Sequence, residues 1–169
     1  FHPLAVDDAL RETHVPKVDD WGNYLYIVLQ SMVISEVEQH HLDSLELDVF
    51  LGENFLVTHH DKKLDPIEHL WTTVQRDERH LRNGPDHLLY RLVDELATGY
   101  MKLVESLDDA IDALEDEIFN HSETEILEQI FALKRMTLHF RRMIGPEREV
   151  LNKLARDDYS MIDKQAQVY

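Results

Sequence analysis

The sequence predicts an α+β fold: a small β-sheet with flanking helices, followed by a long acidic helical hairpin and the start of a further helix. Three observations predict it. Residues 24–34, YLYIVLQSMVI, are an almost unbroken run of β-branched and aromatic residues. Residues 86–119 carry an apolar side chain every three or four positions, with acidic residues between them. A second stretch of the same period follows a short polar break at 120–124.

The elements follow in order. Residues 3–12, PLAVDDALRE, read as a short helix with Pro3 in the first turn, where its missing N–H costs nothing, and with Leu4, Val6 and Leu10 inward. Pro16 ends it, because the residue before a proline is pushed toward extended geometry. Tyr24–Ile34 is a strand buried on both faces and therefore central. After a polar connection at 35–43, Leu45, Leu47 and Val49 alternate with Glu46 and Asp48 as in a half-buried strand. Gly52-Glu53-Asn54 then turns the chain into residues 54–58, which makes a hairpin. Asp65-Pro66 is a helix start with aspartate as N-cap, and that helix runs through Ile67, Leu70, Val74 and Leu81. Asn83-Gly84-Pro85-Asp86 ends it.

Asp86 opens the long helix. Leu89, Val93, Leu96, Tyr100, Leu103, Leu107, Ile111, Leu114 and Ile118 fall on one side of it. Glu105, Asp108, Asp109, Asp112, Glu115, Asp116 and Glu117 form the other side, a solvated face or a cation site. Residues 125–144 are a second, antiparallel helix buried through Ile126, Ile130, Leu133, Met136, Phe140 and Met143, which ends at Gly145-Pro146. Its basic cluster, Lys134, Arg135, Arg141 and Arg142, is placed to face the acidic side of its neighbour. Pro146 opens a third helix, buried through Val150, Leu151 and Leu154.

Composition narrows the function. At 169 residues the chain is sized for one domain, residues 1–169, with no linker, repeat or low-complexity tract. A formal net charge of -17 argues against nucleic acid and against direct contact with an anionic membrane surface, and in favour of cations. The absence of cysteine excludes disulfides, thiolate metal sites and cysteine nucleophiles. No apolar run reaches the roughly 20 residues that cross a bilayer. The chain starts at Phe1 within an organised segment and stops at Tyr169, so it reads as a soluble fragment.

Enzymatic signatures are missing: there is no Gly-x-Ser-x-Gly and no phosphate-cradling loop among five glycines, so catalysis is not expected. Zinc is a weak reading. Glu38, His41 and Asp61 lie close in sequence, but the 11 histidines form no His-Glu-x-x-His, and neighbours on a strand point to opposite faces. Hard cations need less. Mg2+ keeps much of its water and takes one or two carboxylates. Asp7 and Asp8, on a short helix beside the buried strand, with one carboxylate from the long helix, would suffice. Asp94 is the candidate for the latter, because it stands at the margin of the apolar stripe, where a charge needs a partner. That partner is a cation, an arginine such as Arg91 or Arg11, or water.

With these residues in place a resemblance emerges. His2-Pro3-Leu4-Ala5-Val6-Asp7-Asp8-Ala9-Leu10, His14-Val15-Pro16-Lys17-Val18 and the strand from Tyr24 resemble the cytosolic domain of the CorA family of divalent-cation transporters. The likeness continues in register through 50–58, Asp65-Pro66, 88–94, 107–115 and Leu133-Lys134-Arg135. The spacing from His2-Pro3-Leu4 to Pro16-Lys17 is more like the magnesium-type members than the zinc-transporting ZntB branch.

The resemblance implies a homopentameric channel in which this fragment, itself monomeric or weakly associated, lies on the cytoplasmic side of the membrane and senses Mg2+ between subunits. Bound ions would favour the closed state. Asp7, Asp8 and Asp94 match the family's sensing carboxylates, with Mg2+ as regulatory ligand, Co2+ or other divalent cations beside it, and Zn2+ in the ZntB-like alternative. Thr98 stands where the family often has a further acid, one turn after Asp94. The family's stalk and pore helices and its Gly-Met-Asn motif are not in this sequence. A different class of reading remains: a soluble acidic helical adaptor that docks a basic protein.

Overall fold

The run at 24–34 is a strand along its whole length, and the sheet extends to either side of it. The computed structural model describes residues 1–11, 15–35, 42–117, 123–156 and 159–163. In chain order its elements are α1 (Pro3–Ala9), β1 (Lys17–Asp20), β2 (Tyr24–Ile34), β3 (Leu42–Gly52), β4 (Phe55–His59), α2 (Asp65–Arg76), a 3-10 helix (Glu78–Asn83), α3 (Pro85–Glu117) and α4 (Glu123–Arg156). The strands lie in the order β1-β2-β3-β4, every pair antiparallel. β2 is therefore central, and it is buried from Tyr24 to Met32.

The predicted hairpin is β3–β4, closed by Glu53 and Asn54 between the paired Gly52 and Phe55. The Phe55 ring lies where a Cβ on Gly52 would stand, so a larger residue there would have to push that half-exposed ring aside. β1 escaped the sequence reading, since Lys-Val-Asp-Asp carries three charges in four residues. Pairing with β2, from Lys17↔Val28 to Asp20↔Leu25, makes it a strand.

Alternation along the strands creates two faces. Leu25, Ile27, Leu29, Leu47, Val49 and Leu51 pack with Leu89, Leu92, Leu96, Val150 and Leu154 of α3 and α4. This is the main core, where each fully buried aliphatic side chain contributes about 1.5–3 kcal/mol. The opposite face is aromatic: Tyr24, Tyr26, Val28 and Phe50 pack with Ala5 and Ala9 of α1. A further cluster, including Leu103, Leu107, Leu114, Ile126, Leu133 and Met136, seals α3 against α4 and takes in Met32 of β2 and Leu42 of β3 at the end of the sheet. Leu89, Leu92 and Leu96 cluster with Val150 and Leu154, and Leu103, Leu107 and Leu114 with Ile126, Leu133 and Met136, so the two helices run antiparallel as expected. Tyr100 meets Phe140 edge-on at 6.1 Å between them.

Several expectations change. Leu4 and Leu10 do not point inward but are 62% and 67% exposed, and Val6 is exposed too. Large rings already fill the sheet face under α1, so the helix can approach only through Ala5 and Ala9. The helix also ends at Ala9. Leu64, not Asp65, takes the N-cap position of α2, and Asp65 falls in its first turn, where a negative charge suits the helix dipole. α2 stops at Arg76; Leu81 belongs to the 3-10 helix and is exposed. Ile111 and Ile130 are exposed as well, whereas Leu92, outside the expected stripe, is fully buried.

Gly145-Pro146 does not end a helix. α4 runs through it, with Pro146 inside. The proline removes one helical hydrogen bond, but packing on both sides of it, at Leu133 and Met136 and at Val150 and Leu154, keeps the axis continuous. Lys134, Arg135, Arg141 and Arg142 are exposed, and among the described residues no ion pair joins them to the acidic side of α3. Ile118 and the turn at 120–122 lie outside the described residues.

Candidate metal site

α1 holds its two carboxylates above the aromatic face of the sheet. Pro3 is pre-set for the first turn, and the His2 ring accepts a hydrogen bond from the Leu4 N–H at 3.2 Å. With Ala5 and Ala9 turned down, Asp7 and Asp8 stand to the sides, half-buried. Asp7 pairs with Arg11 at 2.8 Å, one turn on. Asp8 pairs with Lys17 of β1 at 2.7 Å, and Lys17 also reaches Asp19 at 3.0 Å. The Lys17 ammonium is held above its ordinary pKa: burial opposes its charge, but the hydrogen bonds to Asp8 and Asp19 outweigh that.

Beneath Asp8 the polar contacts continue into the sheet. Lys17 Nζ lies 5.2 Å from the centre of the Tyr26 ring. The Tyr26 hydroxyl donates to Asp48 at 2.7 Å, and His59 Nδ1 is 3.4 Å from the other oxygen of the same carboxylate. Burial first, and then the bond to Asp48, push the Tyr26 phenol far above its usual range. Asp48 is 2% exposed. The sequence placed it on the solvent side of a half-buried strand; that side is in fact covered. A cavity of about 220 Å3, lined by Arg11, Glu46, Asp48, His59 and Asp61 among others, opens beside it. Asp48 and Lys17 are thus the residues that sequence reasoning missed. Their signal was weak: an acid within an alternating strand, and a lysine directly after a proline.

Asp94 is elsewhere. It stands exposed on α3, 3.6 Å from Arg91 Nη1, in the arrangement anticipated for a paired carboxylate. Thr98 turns its hydroxyl back onto the Asp94 carbonyl at 3.0 Å. A groove of about 380 Å3 runs beside it between α3 and α4, lined by Asp86, Tyr90, Val93 and Leu151. Since α1 packs on the aromatic face and α3 on the aliphatic one, the sheet separates Asp7 and Asp8 from Asp94 within one chain.

Among the described residues no group of three or more His, Asp or Glu side chains is arranged to hold a metal ion. Asp61 lines the cavity beside Asp48; Glu38 and His41, its partners in the zinc reading, lie outside the described residues. What the chain presents is two partial donor sets. Asp7 and Asp8 are adjacent oxygen donors suited to a hard cation, and each is neutralised by a basic side chain at present.

Comparison with known proteins agrees with this architecture. The family model for CorA-like Mg2+ transporter proteins matches residues 1–169. The cobalt/magnesium transport protein CorA of Thermotoga maritima is 34% identical over 170 residues, which cover 100% of this chain and 48% of that protein. The soluble domain of CorA from Methanocaldococcus jannaschii superimposes with a TM-score of 0.84 at 22% identity, over 96% of this chain and 64% of that one. The ZntB cytoplasmic domain of Vibrio parahaemolyticus shares the fold less closely, with a TM-score of 0.75 at 12% identity, over 99% of this chain and 66% of that one. This chain spans about half the length of the curated relatives it matches. Among the described residues no helix is long and apolar enough to cross a membrane. The family is one of ion transporters rather than enzymes, and from the full-length family match we conclude that this chain belongs to the CorA family.

Proposed function

We propose that residues 1–169 form one regulatory domain of a pentameric divalent-cation transporter, on the cytoplasmic side of the membrane, and that Mg2+ bound between neighbouring copies favours the closed state. Asp7 and Asp8 of one copy and Asp94 of the next are the ligands in this reading. One observation carries it: the sheet separates the two donor sets, so a cation bridging them needs two chains. The outward Leu4, Val6 and Leu10 flank Asp7 and Asp8 with apolar surface that a neighbouring copy would cover. Carboxylate oxygens that keep part of the ion's water suit Mg2+, and Co2+ would be accepted by the same donors.

The cation must displace Arg11 and Lys17 from Asp7 and Asp8, and Arg91 from Asp94. Such half-exposed ion pairs are weak, on the order of 0–1 kcal/mol each, so they hold the carboxylates ready without blocking the site. A ligand that binds only the assembled form shifts the population toward it, by about 1.4 kcal/mol for each tenfold excess over its dissociation constant.

The test is the thermal midpoint of the full-length protein with and without millimolar Mg2+. The proposal expects the midpoint to rise with Mg2+ and the rise to shrink sharply in the double variant Asp8→Ala, Asp94→Ala. A wild-type midpoint that ignores Mg2+ overturns it. A response confined to micromolar Zn2+ would favour the ZntB-like alternative instead.

A further inference from the structure

Among the described residues the second buried carboxylate, Glu147, has no part in the metal reading. It follows Pro146 in the middle of α4 and is 3% exposed. Its surroundings are set by where β1 stops. β1 pairs with β2 as far as Lys17↔Val28, and Pro16, which has no N–H, precedes Lys17. Two residues further along β2, the backbone of Gln30 faces away from β3 with no described strand to meet it. Side chains from the helices meet it instead. The Gln30 N–H donates to Glu147, at 3.2 Å to Oε2 and 3.4 Å to Oε1, and the Gln30 carbonyl accepts from the Tyr100 hydroxyl of α3.

We propose that Glu147 is a pH-responsive latch between the α3–α4 hairpin and the open edge of β2, closed when its carboxyl is protonated. Proton counting supports this. Tyr100 has one hydroxyl proton and two acceptors within reach, the Gln30 carbonyl and Glu147. A protonated Glu147 resolves the conflict by donating to the Tyr100 oxygen, while Tyr100 donates to Gln30. An ionised Glu147 competes with Gln30 for that proton and leaves a buried charge short of donors.

The electrostatics agree. Burial, opposed by the bonds to Gln30 and Tyr100, pushes the Glu147 carboxyl up to about 7. The ionisable groups on the elements around it do not neutralise it at the sheet edge. On α3, Tyr100 is itself held protonated, by burial and by Glu147, and Asp94 is paired with Arg91. On β1, Lys17 is engaged with Asp8 and Asp19, and Asp20 accepts from the Gly22 N–H. On β3, Asp48 is bound to Tyr26 and Glu46 acts on the same phenol, while Asp43 lies opposite Val33 beyond Gln30. On α4 itself, Arg141 and Arg148 line a groove of about 570 Å3 together with Glu147, Tyr100 and Leu96. Arg148 is paired with Glu149 at 3.4 Å, which leaves Arg141 as the cation toward which an ionised Glu147 would turn.

The sign follows from linkage. A carboxyl raised in the folded state stabilises fully below its ordinary value of 4.5 and loses that contribution as pH rises to about 7. The experiment is a carbon-13 NMR titration of the Glu147 carboxyl in this chain, with Glu147→Gln to assign the signal, and amide exchange at Gln30 in both forms. We expect a midpoint near 7, and Gln30 protection that falls across it in the wild type but not in the variant. The folding equilibrium constant of the wild type should fall roughly 10- to 100-fold relative to the variant between pH 5 and 7.5. A midpoint between 4 and 5, readable in the wild type even if the variant does not fold, overturns the proposal. So does the same pH dependence of Gln30 exchange in both forms.

Discussion

The two faces of the sheet solve different problems. On the aliphatic face, four leucines, Ile27 and Val49 of β2 and β3 meet three leucines of α3 and two apolar residues of α4, and little of that surface remains uncovered. On the aromatic face, α1 touches the sheet through two alanines and leaves Leu4 and Leu10 exposed, while Asp7 and Asp8 stand to its sides and Asp8 reaches Lys17 of β1. Two carboxylates are also buried beside tyrosines among the described residues: Asp48 beside Tyr26 on the aromatic face, and Glu147 of α4 beside Tyr100 at the edge of β2. The comparison teaches that the aliphatic face makes the fold, whereas the aromatic face carries a thin cover whose outer side leaves Leu4, Val6 and Leu10 exposed.

This contrast can be broken by mutation, and the largest effect belongs to the aliphatic face. Leu92→Ala should lower the stability to chemical denaturation by about 2–5 kcal/mol, because Leu92 is fully buried under the sheet and the cavity cannot collapse. Ala5→Leu should cost less, about 1–3 kcal/mol, by forcing α1 off the rings it rests on. Its far-ultraviolet spectrum should stay close to wild type, since β2 and β3 do not depend on α1. Leu10→Ala should move stability by no more than about 0.5 kcal/mol, yet weaken association between copies in sedimentation. If Leu10→Ala destabilised the chain as much as Leu92→Ala, the two faces would not differ in the way described.

The sequence was most legible where burial leaves an unbroken apolar run or a long regular period. β2 announced itself because a strand covered on both faces needs an unbroken apolar run, and α3 because one long side had to be buried. α1 was legible as a helix but not in its orientation, since the rings that exclude Leu4 and Leu10 come from residues 24, 26 and 50. β1 was hidden by its charges. The passage of α4 through Pro146 depends on packing at both ends of the helix, which no local rule reports. Glu147 was the least legible: its partner Gln30 is 117 residues away, and Gln30 lies beyond the point where the β1–β2 pairing ends at Lys17↔Val28.

Of the candidate site, Asp7, Asp8 and Asp94 could be singled out from spacing and resemblance, and the structure adds that the sheet separates Asp7 and Asp8 from Asp94. Their resting partners, Arg11, Lys17 and Arg91, show why an acidic pair on a helix did not need a cation to be tolerated there. The adaptor reading relied on an acidic helix face seeking a basic protein; membership of the CorA family now gives the chain a transporter context instead.

The central claim is that one cation is shared between Asp7 and Asp8 of one copy and Asp94 of another. The most direct test is complementation in the full-length protein, measured as Mg2+-dependent protection against limited proteolysis. Asp8→Ala alone and Asp94→Ala alone should each lose most of the protection that the wild type shows at millimolar Mg2+. When the two variants are assembled together, some interfaces pair an intact Asp8 with an intact Asp94, and part of the protection should return. Mixed assemblies no better protected than either variant alone, beside a wild type that responds, would contradict a site shared between copies.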